Sequence, residues 1–103
     1  MFRFQAPVWK WSGEGPTSWF FITLPFDITD EIDEIATEAK RGFGSVRVKA
    51  SIGNTTWATS LFPSKEQKSF ILPVKAAVRK AEALVDGTVA NVRVQLVDFP
   101  ADG

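Results

Sequence analysis

The chain has 103 residues, of which 45% are hydrophobic and 23% are charged, and this composition is typical of a single globular domain. Twelve Lys and Arg residues balance twelve Asp and Glu residues, so the zero net charge excludes a global attraction to nucleic acid or to anionic membranes. Cys, His and Tyr are absent, which excludes disulfides, thiolate chemistry and the commonest general base.

No sequence motif of a serine hydrolase, a P-loop or a dinucleotide site occurs in the chain, so no catalytic residue and no cofactor are predicted. The first residues carry no secretory signal, and no stretch approaches the ~18 consecutive apolar residues of a membrane span. We therefore expect one domain over residues 1–103 that is cytoplasmic and makes no membrane contact.

The first forty residues predict two strands and a helix. One strand alternates from Phe2 to Trp9, which places Trp9 on the face opposite to Phe2, Phe4, Ala6 and Val8. The stretch from Trp19 to Leu24 is apolar on both faces and predicts a strand covered on both sides. Capping residues at 27–30 predict a helix that ends near Gly42, with its inward face formed by Ile28, Ile32, Ile35, Ala36 and Ala39.

The rest of the chain predicts a hairpin followed by a strand, a helix and a last strand. Residues 46–52 alternate, Gly53-Asn54 is a glycine-first hairpin loop, and residues 55–62 return as the partner strand. A short strand at 69–72 leads to Pro73, which predicts a helix start, and Asp86-Gly87 is expected to end that helix before a strand at 88–97. Its inward face is predicted to carry Val74, Val78, Ala81 and Val85. Such a chain predicts a mainly β fold, a closed or nearly closed barrel of six to seven strands with two short helices.

Five segments of the sequence together resemble a bacterial family called domain of unknown function 1905. These are SWFFITLP, GFGSVRVKASIG, TSLFP, LPVKAAVRK and the alternating last strand, and they extend over nearly the whole chain. The resemblance implies a small Greek-key barrel and supplies no activity. Members often have Gly-Asp before the last strand, where this chain has Asp86-Gly87.

Residues 71–96 alone are similar to the swapped-hairpin element of AbrB-type DNA-binding regulators. The similarity spans about a quarter of the chain and implies a shared way of building a barrel, with nucleic-acid binding or dimerisation as a possible role. Nucleic acid is not the favoured partner, and the chain is expected to be a monomer or a homodimer.

The best candidate binding residues form a local basic segment. Residues 65–80 contain five bases and one acid, whereas residues 27–38 contain six acids and no base. We predict an anion site formed by Arg47, Lys65, Lys68, Lys75 and Arg79, with Trp57 as an aromatic contact. The alternative is that these bases form the solvated face of a short helix. Lys75 falls in the first helical turn, where a cation is unfavourable without an anion nearby.

Two other residue groups have simpler interpretations. The acidic helix lacks the loop of a calcium site, so no metal site is predicted and its carboxylates are expected to form a solvated face. Trp9, Trp11 and Trp19 could form a stacking platform, but their large area favours burial at the end of the barrel.

The sequence thus favours a small binding or interaction module that meets a small anionic ligand or a protein partner. The enzyme alternative would use Lys, Arg and carboxylate chemistry in the barrel mouth, and it requires at least two of Glu14, Glu66, Lys75, Arg79 and Asp86 in one pocket. A further alternative is a structural dimeriser that exposes a strand edge or its tryptophans.

Overall fold

Antiparallel strands close into a barrel in the computed structural model, which describes residues 1–12, 18–36 and 44–97. The elements in chain order are β1 (Phe2–Ser12), β2 (Ser18–Thr23), α1 (Phe26–Ala36), β3 (Val46–Ile52), β4 (Thr55–Ser64), β5 (Ser69–Pro73), α2 (Ala76–Ala81) and β6 (Val89–Leu96). Around the barrel the strands follow the order β1-β2-β5-β4-β3-β6. The predicted mainly β barrel of about six strands with two short helices is therefore confirmed.

The strand order contains two overlapping Greek keys. Strands β3, β4 and β5 form successive hairpins. Strand β2 lies beside β5 but continues through α1 to β3, and β6 lies beside β3 but is reached from β5 through α2. Each longer connection links one end strand of the three hairpin strands to a fourth strand that lies beside the strand at the other end. This is the Greek-key arrangement.

Strand β1 closes the barrel because it pairs with two different strands along its length. Its first half, Phe2 to Pro7, pairs with β6, and its second half, Val8 to Ser12, pairs with β2. At the changeover the Val8 N–H donates to the Thr88 carbonyl at 2.8 Å, and the Gly87 N–H donates to the Val8 carbonyl at 2.7 Å. Closure gives every strand in the described ranges a neighbour on each side, although β1 pairs with only one of them along each half of its length.

The predicted hairpin of β3 and β4 is confirmed in register and in turn geometry. Ile52 pairs with Thr55 across Gly53-Asn54, and Gly53 has φ +59°, the positive value that a glycine-first turn requires. The inward positions of β3, at 46, 48, 50 and 52, are all buried. They meet the apolar faces of β4, β5 and β6 in one core.

Helix α1 covers one end of this core. Its Ile32 and Ala36 are buried and Ile28 is half-buried, as the helical spacing predicts. Ile35 is 44% exposed, so its predicted inward position is wrong. The predicted positions of Ala39 and Gly42 lie outside the described residues. Neither α1 nor α2, with 11 and 6 residues, is long and apolar enough to cross a membrane, and no other helix is described.

The end of α2 differs from the prediction. The helix ends at Ala81, because Ala83 adopts φ +55° and the Leu84 N–H bonds back to the Arg79 carbonyl at 2.8 Å. This is a Schellman motif, which reverses the chain and brings the next apolar residue against the helix. Leu84 is consequently buried, while Ala81 and Val85, both predicted to face the core, are exposed.

Ala83 occupies a position that glycine would fill without steric cost. We expect Ala83→Gly to raise the free energy of unfolding by about 0.5–1 kcal/mol, because it relieves the left-handed strain on a residue with a Cβ. Ala81→Gly is a matched control within the helix and should lower the free energy of unfolding by about 0.5–1 kcal/mol. Urea denaturation of the two variants measures both changes, and two changes of the same sign would contradict the assignment.

Candidate functional site

Two of the predicted anion-binding residues and the predicted aromatic contact line one cleft. The cleft, of about 300 Å³, lies between β2, β4 and the passage from β5 into α2, and we call it the basic cleft. Its walls are formed by Ser18, Trp19, Phe20, Trp57, Ala58, Thr59, Pro73, Val74, Lys75, Ala76 and Arg79. Lys75, Arg79 and Trp57 thus come together although 22 positions separate Trp57 from Arg79 in the sequence.

Arg79 is held in place by two contacts that leave its outer nitrogens unused. Its guanidinium carbon lies 3.9 Å from the centre of the Phe20 ring, and its Nε–H donates to the Val74 carbonyl at 3.2 Å. Within the described residues Nη1 and Nη2 have no acceptor, and no carboxylate pairs with the side chain. A guanidinium stacked on a ring and fixed at Nε presents a preorganised fork for a carboxylate or phosphate.

Lys75 is predicted in the first turn of α2, but it is the residue that immediately precedes the helix. Its φ of −70° and ψ of 161° are extended, as is usual for the residue that caps the start of a helix. Its carbonyl accepts the N–H groups of Val78 and Arg79, and its exposed ammonium has no carboxylate partner in the described part of the chain. Lys75 is therefore not a cation inside the helix, but it lines the same cleft as Arg79.

Trp57 forms the inner wall of the basic cleft. Its side chain is buried, 6% exposed, and faces inward near the start of β4. The indole N–H has no acceptor among the described residues. It is also absent from the unpaired polar atoms of those residues that are fully shielded from solvent. It is therefore a donor with some access to solvent in a wall that is otherwise apolar.

The other three predicted anion-binding residues lie elsewhere. Lys65 and Lys68 belong to the turn between β4 and β5, and both are exposed outside the lining of the basic cleft. Arg47 lies on the outward face of β3, opposite Ser60 of β4, and is also outside it. The bases of residues 65–80 are close in sequence, but strand β5 separates Lys65 and Lys68 from Lys75 and Arg79 in space.

The burial expected for the first three tryptophans is wrong for two of them. Trp11 and Trp19 are 47% and 55% exposed, and they face each other across β1 and β2. With Trp9 and Phe21 they line a second cleft of about 320 Å³ on the outside of the barrel, the aromatic cleft. The other described residues in its lining are Ser64, Glu66, Gln67 and Ile71, and among the described residues Trp19 alone lines both clefts.

The enzyme alternative requires at least two of five named residues in one pocket, and Lys75 and Arg79 meet that condition in the basic cleft. None of the described residues that line the basic cleft is a carboxylate, Glu66 lines the other cleft, and Asp86 Oδ1 accepts the backbone N–H of Lys10 at 3.2 Å. Glu14 lies outside the described residues. Among those residues no group of three or more metal-ligating side chains is placed to hold a metal ion. The arrangement around Lys75 and Arg79 can bind an anion, and within the described ranges it pairs neither base with an acid.

Comparison with known proteins gives a family and no activity. A family model described as Domain of unknown function (DUF1905) matches residues 4–94, which is most of the chain. The chain therefore belongs to this family, as the resemblance of its motifs indicates. A search of curated proteins finds no match.

Proposed function

We propose that this member of the Domain of unknown function (DUF1905) family is a binding module for a small anionic ligand. The observation that carries the proposal is that Lys75 and Arg79, both without a carboxylate partner in the described ranges, line the same cleft. Unpaired cations that share a concave site attract an anionic group, and the attraction strengthens where water is partly excluded. Its action in the cytoplasm stays a prediction.

The walls of the basic cleft favour a ligand that joins an anionic group to an apolar or aromatic body. Trp57, Trp19 and Phe20 supply ring surface to the lining of the cleft. A volume of about 300 Å³ is at the lower end of the range for small-molecule sites, which suits a ligand of metabolite size. A phosphate or carboxylate at Lys75 and Arg79 with its apolar body against the indoles satisfies both features.

Binding of three probes tests this proposal. We expect phenyl phosphate to bind more tightly than inorganic phosphate, and phenol to bind more weakly than either, as measured by calorimetry at low ionic strength. Arg79→Ala should weaken binding of phenyl phosphate by about 10- to 100-fold, because a hydrogen bond to a charged group contributes about 1.5–3 kcal/mol. Added salt should weaken the binding of the two charged phosphate probes and leave the binding of neutral phenol nearly unchanged.

Variants at matched lysines serve as controls. Lys75→Ala removes an exposed side chain without disturbing a packed contact, so it keeps the test valid if Arg79→Ala is unstable. Lys68→Ala removes the same charge outside the cleft and should leave affinity unchanged. The proposal is wrong if neither phosphate probe binds at millimolar concentration, or if Lys68→Ala weakens binding as much as Lys75→Ala.

A second candidate function is nucleic-acid binding on the outer face of β1, β3 and β6. That face carries Arg3, Arg47, Lys49 and Arg93, and Arg3 lies directly opposite Arg93. Like charges held side by side are unfavourable unless an anion neutralises them. Oligonucleotide binding that falls steeply with salt, and that is weakened by Lys49→Ala but not by Lys75→Ala, would favour this candidate.

A further inference from the structure

The four aromatic side chains of the aromatic cleft are not part of the hydrophobic core. Trp9 and Trp11 on β1 pair with Phe21 and Trp19 on β2, so the four rings lie on the outward face of one hairpin. The core is formed by the opposite face of these strands, through residues such as Val8 and Ile22. Contiguous apolar surface on the outside of a protein often marks a ligand groove or an interaction site.

The wall of the aromatic cleft is fixed before any ligand arrives. The Trp9 indole N–H donates to Thr23 Oγ1 at 2.8 Å, and the Thr23 hydroxyl donates to Gln67 Oε1 at 3.1 Å. The Gln67 backbone N–H in turn donates to Ser64 Oγ at 3.2 Å. This chain of bonds attaches the β4–β5 turn to the aromatic hairpin, and the Trp9 and Phe21 rings pack 5.2 Å apart at a tilt of 37°.

The charge on the aromatic cleft favours a cation. The faces of indole and phenyl rings carry negative potential, and Glu66 adds a carboxylate that has no partner in the described ranges. Lys65 and Lys68 belong to the same turn but do not line the cleft. An ammonium surrounded by methyl groups fits such a lining, because it gains cation–π attraction and apolar contact while losing little hydration.

We propose that the aromatic cleft is a binding site for a quaternary ammonium group. The rings of Trp9, Trp11, Trp19 and Phe21 contact the methylated cation, and Glu66 supplies the counter-charge at the rim. This site is separate from the basic cleft in chemistry and in every lining residue except Trp19. It does not depend on the anion-binding function.

A pair of isosteric probes tests the proposal on the whole protein. Choline and 3,3-dimethylbutan-1-ol have the same shape, but only choline carries a positive charge. We expect choline to bind at least about ten times more tightly than the neutral alcohol. Binding is measured by titration of tryptophan fluorescence or of chemical shifts, with sodium chloride added so that the ionic strength is the same for both probes. Equal binding of the two probes, or binding of neither, would overturn the proposal.

Three variants locate the binding. Trp11→Leu keeps an apolar side chain but removes the ring, and it should weaken choline binding by about tenfold. Glu66→Gln should weaken binding of choline severalfold and leave that of the neutral alcohol unchanged. Phe62→Leu removes an exposed ring of β4 outside the cleft and should have no effect. Loss of choline binding in Phe62→Leu equal to that in Trp11→Leu would overturn the assignment to this cleft.

Lys75→Ala distinguishes the two clefts. It should abolish most binding of phenyl phosphate and leave choline binding unchanged, because Lys75 does not line the aromatic cleft. Failure of the anion test with a positive choline test would leave the ammonium site standing, and the reverse result would leave only the basic cleft.

Discussion

Ile22→Ala is expected to lower the free energy of unfolding by about 2–5 kcal/mol, the range for truncation of a large aliphatic side chain in a closed core. Ile22 is fully buried on β2, where its neighbours across the strands are Val8 of β1 and Leu72 of β5. The cavity would lie where these three strands meet, and the barrel cannot collapse around it without losing strand pairing. Denaturation by urea or guanidinium chloride measures the loss.

The same substitution at an exposed position controls for the chemistry of the change. Ile35→Ala on α1 removes an identical group from a side chain that is 44% exposed, and it should change stability by less than about 1 kcal/mol. If Ile22→Ala prevents folding, Ile22→Val provides a graded version with an expected loss of about 0.5–1.5 kcal/mol. Equal losses at positions 22 and 35 would contradict the position of Ile22 in the core.

Gly53→Ala is expected to lower the free energy of unfolding by about 2–4 kcal/mol through two separable effects. The first is the left-handed backbone at φ +59°, which costs a residue with a Cβ about 1–2 kcal/mol. The second is a clash, because a Cβ at this position would overlap Glu82 Oε1. The Glu82 carboxylate also accepts a hydrogen bond from Thr55 Oγ1 at 2.6 Å, so moving it breaks a charge-assisted bond between the hairpin and the end of α2.

A double-mutant cycle separates the two effects. In the Glu82→Ala background the clash and the bond to Thr55 are already absent, so Gly53→Ala should then cost only about 1–2 kcal/mol. Denaturation of the wild type, both single variants and the double variant gives the coupling energy. Strictly additive losses would show that the Glu82 carboxylate does not hold the hairpin turn.

Most of the fold could be predicted because its signals are local. Alternation at 46–52 fixes which face of β3 is buried, and Gly53 fixes the hairpin register, since both depend on adjacent residues. The end of α2 could not be predicted in this way. Gly87 has the sequence character of a helix terminator, but the helix reverses at Ala83, which carries no such signal and is placed there by the burial of Leu84.

The candidate sites were only partly predictable because they depend on which strands become neighbours. Lys68 and Lys75 are close in sequence, but the five residues of β5 between them extend about 17 Å. Trp57 and Arg79 are far apart in sequence and meet because β4, β5 and β2 are adjacent in the barrel. The exposure of Trp11 did have a local signal, since alternation already placed Trp9 opposite the buried face of β1 and Trp11 has the same parity.

The divided pairing of β1 also constrains how the protein is made. Strand β1 is synthesised before the other barrel strands and can pair with β2 early, but its first half must wait for β6, whose residues are synthesised more than eighty positions later. Until then the segment from Phe2 to Pro7 has an unpaired backbone and exposed phenylalanines, which are features that favour contacts with other chains. Closure of the barrel during synthesis is therefore expected to come late, after β6 has been made.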